Sequence, residues 1–345
     1  MKPDATPADT AASPAAAPPA DPIGISIVVP VYRGEQTLPA LIAEIELLAS
    51  GAVTPSGRPF RVAEAILVHD GGPDNSPEVM KALAERCKFV SPVWLSRNYG
   101  QHPATLAGMA ATVGDWVVTL DEDGQFDPSD IGAMLDRALD HSQPLIYAAP
   151  VNPPPHGWAR NTASRLAKWI CSVITGDPQV RLFHSFRLVR GDIARSLAAY
   201  CGPGTYLDVA LLWVVQSADT CPVTLRHERG RPSGYSTIKL IMHFWRLILC
   251  SGTRPLRVIA FFGLFSILVG FYMSGKALWE KLHYQIPVQG WTSLMIALCF
   301  FSGVSLFMLA VVVEYLGHVM TLSMGKPLYL TVSSPPPRKV PRRES

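Results

Sequence analysis

The sequence predicts an α/β domain built around a mostly parallel sheet, followed by interfacial helices and two transmembrane helices. Three observations carry that expectation. Short β-branched runs alternate with stretches of helical apolar period, each run ends in a polar or acidic turn, and two long apolar segments lie toward the C-terminus. The chain has 345 residues, 48% hydrophobic and 17% charged, with a formal net charge of +3. A mean hydropathy of +0.21 with so few charges excludes a disordered polymer and directs attention to the bilayer. An excess of 30 Lys+Arg over 27 Asp+Glu is too small for a nucleic-acid binder. The six cysteines are scattered, with no C-x-x-C pair, as in a reduced protein that carries neither a zinc site nor a disulfide framework.

Residues 1–23, rich in Ala and Pro and lacking an apolar h-region, read as a disordered tail. The globular domain is expected over 24–235. Ile25 to Val31 is a strand, followed by polar Arg33-Gly34-Glu35-Gln36 and a helix with apolar Leu38, Leu41, Ile42, Ile45 and Leu48. The same grammar repeats with Glu64 to Val68 before Asp70-Gly71-Gly72, then a helix around Glu78 to Cys87. It continues with Val93 to Leu95 and a helix around Ala104 to Thr112, then Trp116 to Leu120, an acidic turn at Asp121 and a helix near Ile131 to Leu139. In such sheets ligands sit at the carboxyl ends of the strands. Beyond Pro150 the pattern loosens into a Pro-rich turn, an amphipathic basic stretch from Arg160 to Ile174 and a segment that stays globular to near Thr224.

Residues 236–255 mix Lys239, His243 and Arg246 with Trp, Phe and Leu, as helices lying in the membrane interface do. Within 256–316, Leu256 to Met273 and Leu294 to Val313 are each long enough to cross most of a hydrocarbon core of about 30 Å. Arg246, Arg254 and Arg257 precede the pair, and Lys326, Arg338, Lys339, Arg342 and Arg343 follow it in the C-terminal segment 317–345. The connecting loop holds only Lys276 and Lys281. The positive-inside rule places the α/β domain and both termini in the cytosol, on a multi-pass protein of the inner (plasma) membrane.

The sharpest chemical feature is Asp121-Glu122-Asp123-Gly124-Gln125, three carboxylates directly after an apolar strand. Hard oxygen ligands at a strand end suit a Mg²⁺ or Mn²⁺ that bridges substrate phosphates; a solvated acidic turn capping the next helix is the competing reading. Asp70 and Arg97 stand at two further strand ends, the first suited to a ribose or base and the second to a phosphate. No G-x-x-x-x-G-K-[ST] and no G-x-G-x-x-G occurs, so ATPase and dinucleotide readings have no support.

Taken in order, Ile27-Val-Val-Pro-Val-Tyr32, Val68-His-Asp-Gly71, Leu95-Ser-Arg-Asn-Tyr-Gly100, Asp121-Glu-Asp-Gly-Gln125, His184-Ser-Phe-Arg-Leu188 and Glu314-Tyr-Leu-Gly317 before Lys326-Pro-Leu-Tyr329 resemble the family 2 glycosyltransferases. Within them the sequence is similar to the polyprenyl-phosphate glycosyltransferases, the group that contains dolichol-phosphate mannose synthase and undecaprenyl-phosphate glucosyltransferases. The resemblance implies a GT-A fold, a UDP- or GDP-linked sugar donor, a polyprenyl-phosphate acceptor, Mg²⁺ or Mn²⁺, and a homo-tetramer. Carried over by position, Pro30, Tyr32, Glu35, Asp70 and Arg97 line the donor pocket together with Asp121, and Asp121, Asp123 and Gln125 hold the metal. Arg187 binds phosphate near the reacting centre, and Arg231 with Ser236 belongs to a loop closing over the substrates. The sequence departs from the pattern at His69, Gly72, Gly124 and Thr237. It also lacks an acceptor-side arginine after Tyr147, for which Arg160 and Arg165 are the substitutes.

Three rivals remain. A processive polysaccharide synthase would show a Q-x-x-R-W motif, which is absent. A glycolipid synthase acting on a hydroxyl would need a general base, for which only Asp208 offers itself. A catalytically inactive membrane scaffold of the same fold would not need Asp121, Asp123, Gln125 and Arg187.

Overall fold

The computed structural model describes residues 21–152, 172–173, 176–215, 217–226, 254–283 and 290–336. Its strands are β1 (Ile23–Val31), β2 (Ala52–Val53), β3 (Pro59–His69), β4 (Val90–Leu95), β5 (Trp116–Thr119), β6 (Leu145–Pro150), β7 (Arg187–Arg190), β8 (Asp219–Val223) and β9 (Thr331–Val332). The helices are α1 (Leu38–Ala49), α2 (Ser76–Arg86), α3 (Gln101–Ala110), α4 (Ile131–Asp140), α5 (Gly191–Tyr200), α6 (Leu207–Val214), α7 (Arg254–His283) and α8 (Trp291–Ser323). One sheet runs in the order β8-β6-β7-β5-β1-β3-β4-β9, with β2 paired to β3. Four of its ladders are parallel: β1 with β3, β1 with β5, β3 with β4, and β6 with β8. Antiparallel pairings bring in β2, β7 and β9.

Period-2 alternation along β1 feeds two cores. Ile25, Ile27, Val29 and Val31 face one side, where the apolar stripes of α1, α2 and α4 cover them; Val28 faces the other, under α3, α5 and α6. Both faces of the sheet are therefore buried, as parallel strands require.

From β1 the chain steps outward through β3 to β4, then crosses back by way of α3 to place β5 on the other flank of β1. That reversal opens a crevice at the carboxyl ends of β1 and β5, the place where such sheets bind ligands.

Several elements differ from the sequence expectation. β3 starts at Pro59 rather than Glu64, because β2 folds back on it and Asp136 ties the turn by accepting from Thr54 Oγ1 (2.7 Å), Ser56 N (2.7 Å) and Arg58 (2.8 Å). The C-terminal segment is not separate from the domain. β9 adds an antiparallel edge to β4, pairing Trp94 with Val332 and Leu95 with Thr331, and Leu328 and Tyr329 pack on the core beneath α3.

Both segments read as membrane spans are helical, and they lie antiparallel, with Gly263 close to Met308 and Gly270 close to Phe301. Among the described residues only Phe300–Ser323 of α8, 24 residues, is long and apolar enough to cross a bilayer. α8 runs on to Ser323, so Glu314 stands within it. Arg160, Arg165, Arg231, Ser236 and the interfacial stretch of 238–249 lie outside the described residues.

Candidate active site

Four strand-end loops meet at the crevice, held together by carboxylates that accept backbone N–H groups. After β5, Glu122 accepts from Tyr32 N (3.0 Å) and Arg33 N (2.9 Å), fastening the β1 loop to the acidic turn. After β3, Asp70 accepts from Tyr99 N (2.7 Å) and Gly100 N (2.8 Å), fastening the β4 loop. Glu35 accepts from Asn75 N and Asn75 Nδ2, both at 3.0 Å, and so joins the β1 loop to the start of α2.

Two glycines permit this convergence. Gly71 has φ +64°, and a Cβ there would lie 2.7 Å from Asn98 N; a Cβ on Gly72 would lie 1.6 Å from Tyr32 O. His69, buried beside Trp94, accepts from Gly72 N through Nε2 (3.2 Å).

Burial sets the electrostatics of these groups. It pushes Asp70 up to about 6 against its two amide bonds, and Glu122 up to about 7 against the amides of Arg33 and Tyr32. Burial also raises Asp121, opposed by the Ser185 hydroxyl and the charge of Arg187.

Of the expected donor residues, Tyr32 is exposed at the crevice mouth, Pro30 is the penultimate residue of β1, and Arg97 lies with Cζ 4.8 Å from the Tyr99 ring centroid. Asp121 takes Gln101 Nε2 (2.6 Å) on one oxygen and Ser185 Oγ (2.5 Å) on the other, and Asp123 accepts from Gln125 N (3.0 Å). A cleft of about 310 Å³ opens beside Asp123, lined by Gln36, Thr37 and Glu44 among others.

Arg187 stands differently from the expectation of an open phosphate contact. Its side chain is 4% exposed and is ion-paired to Asp208, whose Oδ1 also accepts from Tyr147 OH (2.9 Å). Asp208, the one candidate base, is thus bound in a buried pair. Sequence reasoning gave no site role to Gln101 or Ser185, which stand 20 and 64 residues from Asp121; no local pattern links them to it.

Among the described residues no group of three or more His, Cys, Asp or Glu side chains forms a metal cage. Mg²⁺ and Mn²⁺ typically take one or two protein carboxylates and fill their remaining positions with phosphate and water. The donor set of Asp121, Asp123 and Gln125 is all hard oxygen, so the residues present fit such a cation.

The sequence profile of glycosyl transferase family 2 matches residues 26–199, from β1 to α5, and so takes in every loop of the crevice. The chain belongs to that family. Relatives at full length share the group of the resemblance. An undecaprenyl-phosphate 4-deoxy-4-formamido-L-arabinose transferase of Pseudomonas paraeruginosa is 32% identical over 311 residues, covering 88% of each chain. Its counterpart from Pectobacterium atrosepticum is 29% identical over 319 residues, 91% of this chain and 95% of that one. Among solved structures, glucosyl-3-phosphoglycerate synthase of Mycobacterium tuberculosis, crystallised with Mn²⁺, uridine diphosphate and phosphoglyceric acid, gives a TM-score of 0.47. Its identity is 17%, covering 68% of this chain and 78% of that one. In this glycosyltransferase the acidic run Asp121-Glu122-Asp123 follows β5 at the strand-order reversal, on the flank of β1.

Proposed function

We propose that this glycosyltransferase transfers a sugar from a UDP- or GDP-linked donor to a polyprenyl phosphate at the cytosolic face of the plasma membrane, with inversion at the anomeric carbon. One observation carries the reading. Similarity to an undecaprenyl-phosphate sugar transferase extends over 88% of both chains, a length that cannot fit within 24–235 and must take in the helices beyond it.

The chemistry of the acceptor agrees. A lipid phosphate, with a second pKa of about 6, is an anion at neutral pH and needs no protein base to attack the sugar. The enzyme's task is to bring two anionic substrates together and to stabilise the departing nucleoside diphosphate. Tyr32, Asp70, Glu35 and Arg97, with Pro30 beneath them, shape the donor side, and Asp121, Asp123 and Gln125 hold Mg²⁺ or Mn²⁺. When bound, that ion neutralises charge on the diphosphate as it leaves. Arg160, Arg165, Arg231 and Ser236 supply the acceptor phosphate's contacts. Asp208, committed to Arg187, is a poor general base, which agrees with an acceptor that is already ionised.

The test uses detergent-purified protein, undecaprenyl phosphate, Mn²⁺ or Mg²⁺ and labelled UDP- and GDP-sugars, among them the 4-deoxy-4-formamido-L-arabinose donor, and follows label into the organic phase. Lipid-soluble label is expected from one donor, dependent on metal, and Asp123→Ala lowers it by about 100-fold or more. Label that persists in Asp123→Ala would refute the site. The donor's anomer recovered in the product would refute inversion.

A further inference from the structure

The crevice contains two polar side chains to which neither the motif nor the family resemblance gives a task. Ser185 donates its hydroxyl to Asp121 Oδ2 (2.5 Å), and Gln101 donates its amide to Asp121 Oδ1 (2.6 Å). Each grips a different oxygen, so together they fix the plane of the carboxylate as well as its position.

Ser185 is itself fixed from below. Its carbonyl accepts from Thr119 Oγ1 (2.5 Å), and Arg187 Nε reaches both that carbonyl (3.4 Å) and Thr119 Oγ1 (3.1 Å). Arg187 in turn is held by Asp208, and Asp208 by Tyr147 OH (2.9 Å). Arg187, Asp208 and Tyr147 are all buried. A buried ion pair contributes little net stability by itself, but it holds one geometry firmly once its hydrogen bonds are satisfied.

We propose that Ser185 and Gln101 are positioning residues that aim Asp121 at the donor's metal-bound diphosphate, and that Arg187 serves the site through Ser185 rather than by touching phosphate. This rests on the function proposed above and deepens it. In metal sites generally, partners that orient a ligating side chain change metal affinity by about 10–100-fold when removed. A residue needed only for folding would change stability and leave that affinity alone.

The experiment titrates full-length, detergent-purified protein with Mn²⁺ in the presence of UDP, reading free Mn²⁺ by electron paramagnetic resonance alongside a thermal melt. Ser185→Ala is expected to weaken Mn²⁺·UDP binding about 10-fold with its melting temperature near that of the wild type, and Ser185→Thr, which keeps the hydroxyl, to recover most of the loss. Gln101→Leu, at the exposed start of α3, gives a loss of similar size and keeps the test decisive where Ser185→Ala fails to fold. Unchanged Mn²⁺·UDP affinity in both Ser185→Ala and Gln101→Leu would overturn the inference. Asp121→Asn separates the two levels: loss of binding there, with Ser185→Ala and Gln101→Leu unaffected, refutes the positioning role alone. Wild-type binding in Asp121→Asn would refute the metal site, and the inference with it.

Discussion

Gly72 meets the carbonyl of Tyr32 so closely that an added Cβ would sit 1.6 Å from its oxygen, and no side-chain movement can relieve a clash with backbone. Gly72→Ala is therefore expected to force the β1 and β3 loops apart, costing about 1–3 kcal/mol and weakening nucleotide binding, as melting and UDP titration of one preparation would show. Asp70 gives a prediction in pH. Its carboxyl titrates near 6 in the fold against an ordinary 3.8, so the folded state holds the proton more tightly than the unfolded chain. The stability this group contributes is complete below about 3.8 and is lost as pH rises through about 6. Asp70→Asn does not titrate, so its melting temperature relative to the wild type should climb between pH 4 and pH 7; a flat difference would contradict the burial that raises the carboxyl. At this scale legibility followed sequence proximity. Asp121, Glu122 and Asp123 draw attention in the sequence because they stand in a row after an apolar run, whereas Ser185 and Gln101 reach Asp121 only through the fold.

The elements divide in a similar way. β1, α1, α2, α3 and α4 were legible because each carries enough residues to show its period, and their parallel pairing followed from the alternation. β2 and β9, with two residues each, show no period, and β7, with four, sits antiparallel between strands that a βαβ reading leaves adjacent. β9 nevertheless bears on the site. It pairs with the end of β4, Ser96 N donates to Leu330 O (2.9 Å), and the loop that follows carries the Tyr99 and Gly100 amides that hold Asp70. Truncation after Pro327 removes Leu328, Tyr329 and β9 but keeps both long helices. The expected outcome is a folded domain in which the Tyr99 and Gly100 amides exchange hydrogen several-fold faster and donor KM rises more than kcat falls. Unaltered exchange at those two amides would reduce β9 to an edge cover without influence on the crevice.

Across the whole molecule, the path of the chain constrains how it meets the membrane. Before the two long helices Arg226 is held on the α/β domain, its backbone N–H donating to Gln125 O (2.9 Å), and after them the chain is on the same domain again, where Leu328 and Tyr329 pack on its core and β9 joins β4. A chain that departs from and returns to one side of a bilayer crosses it an even number of times. If α8 spans, we propose that α7 supplies the second crossing, through the apolar segment Leu256 to Met273. Close approach of the two helices at Gly263 and Gly270 supplies the packing that membrane helices use in place of hydrophobic burial. The arrangement is checked by inserting alkaline phosphatase after Gln289 and fusing a fluorescent protein to the C-terminus of the intact chain. Active phosphatase together with bright fluorescence is expected, since the loop would face outward and the tail inward. An inactive phosphatase at Gln289 would mean that α7 does not cross, and α8, bound to the domain through β9, could not then be a span either.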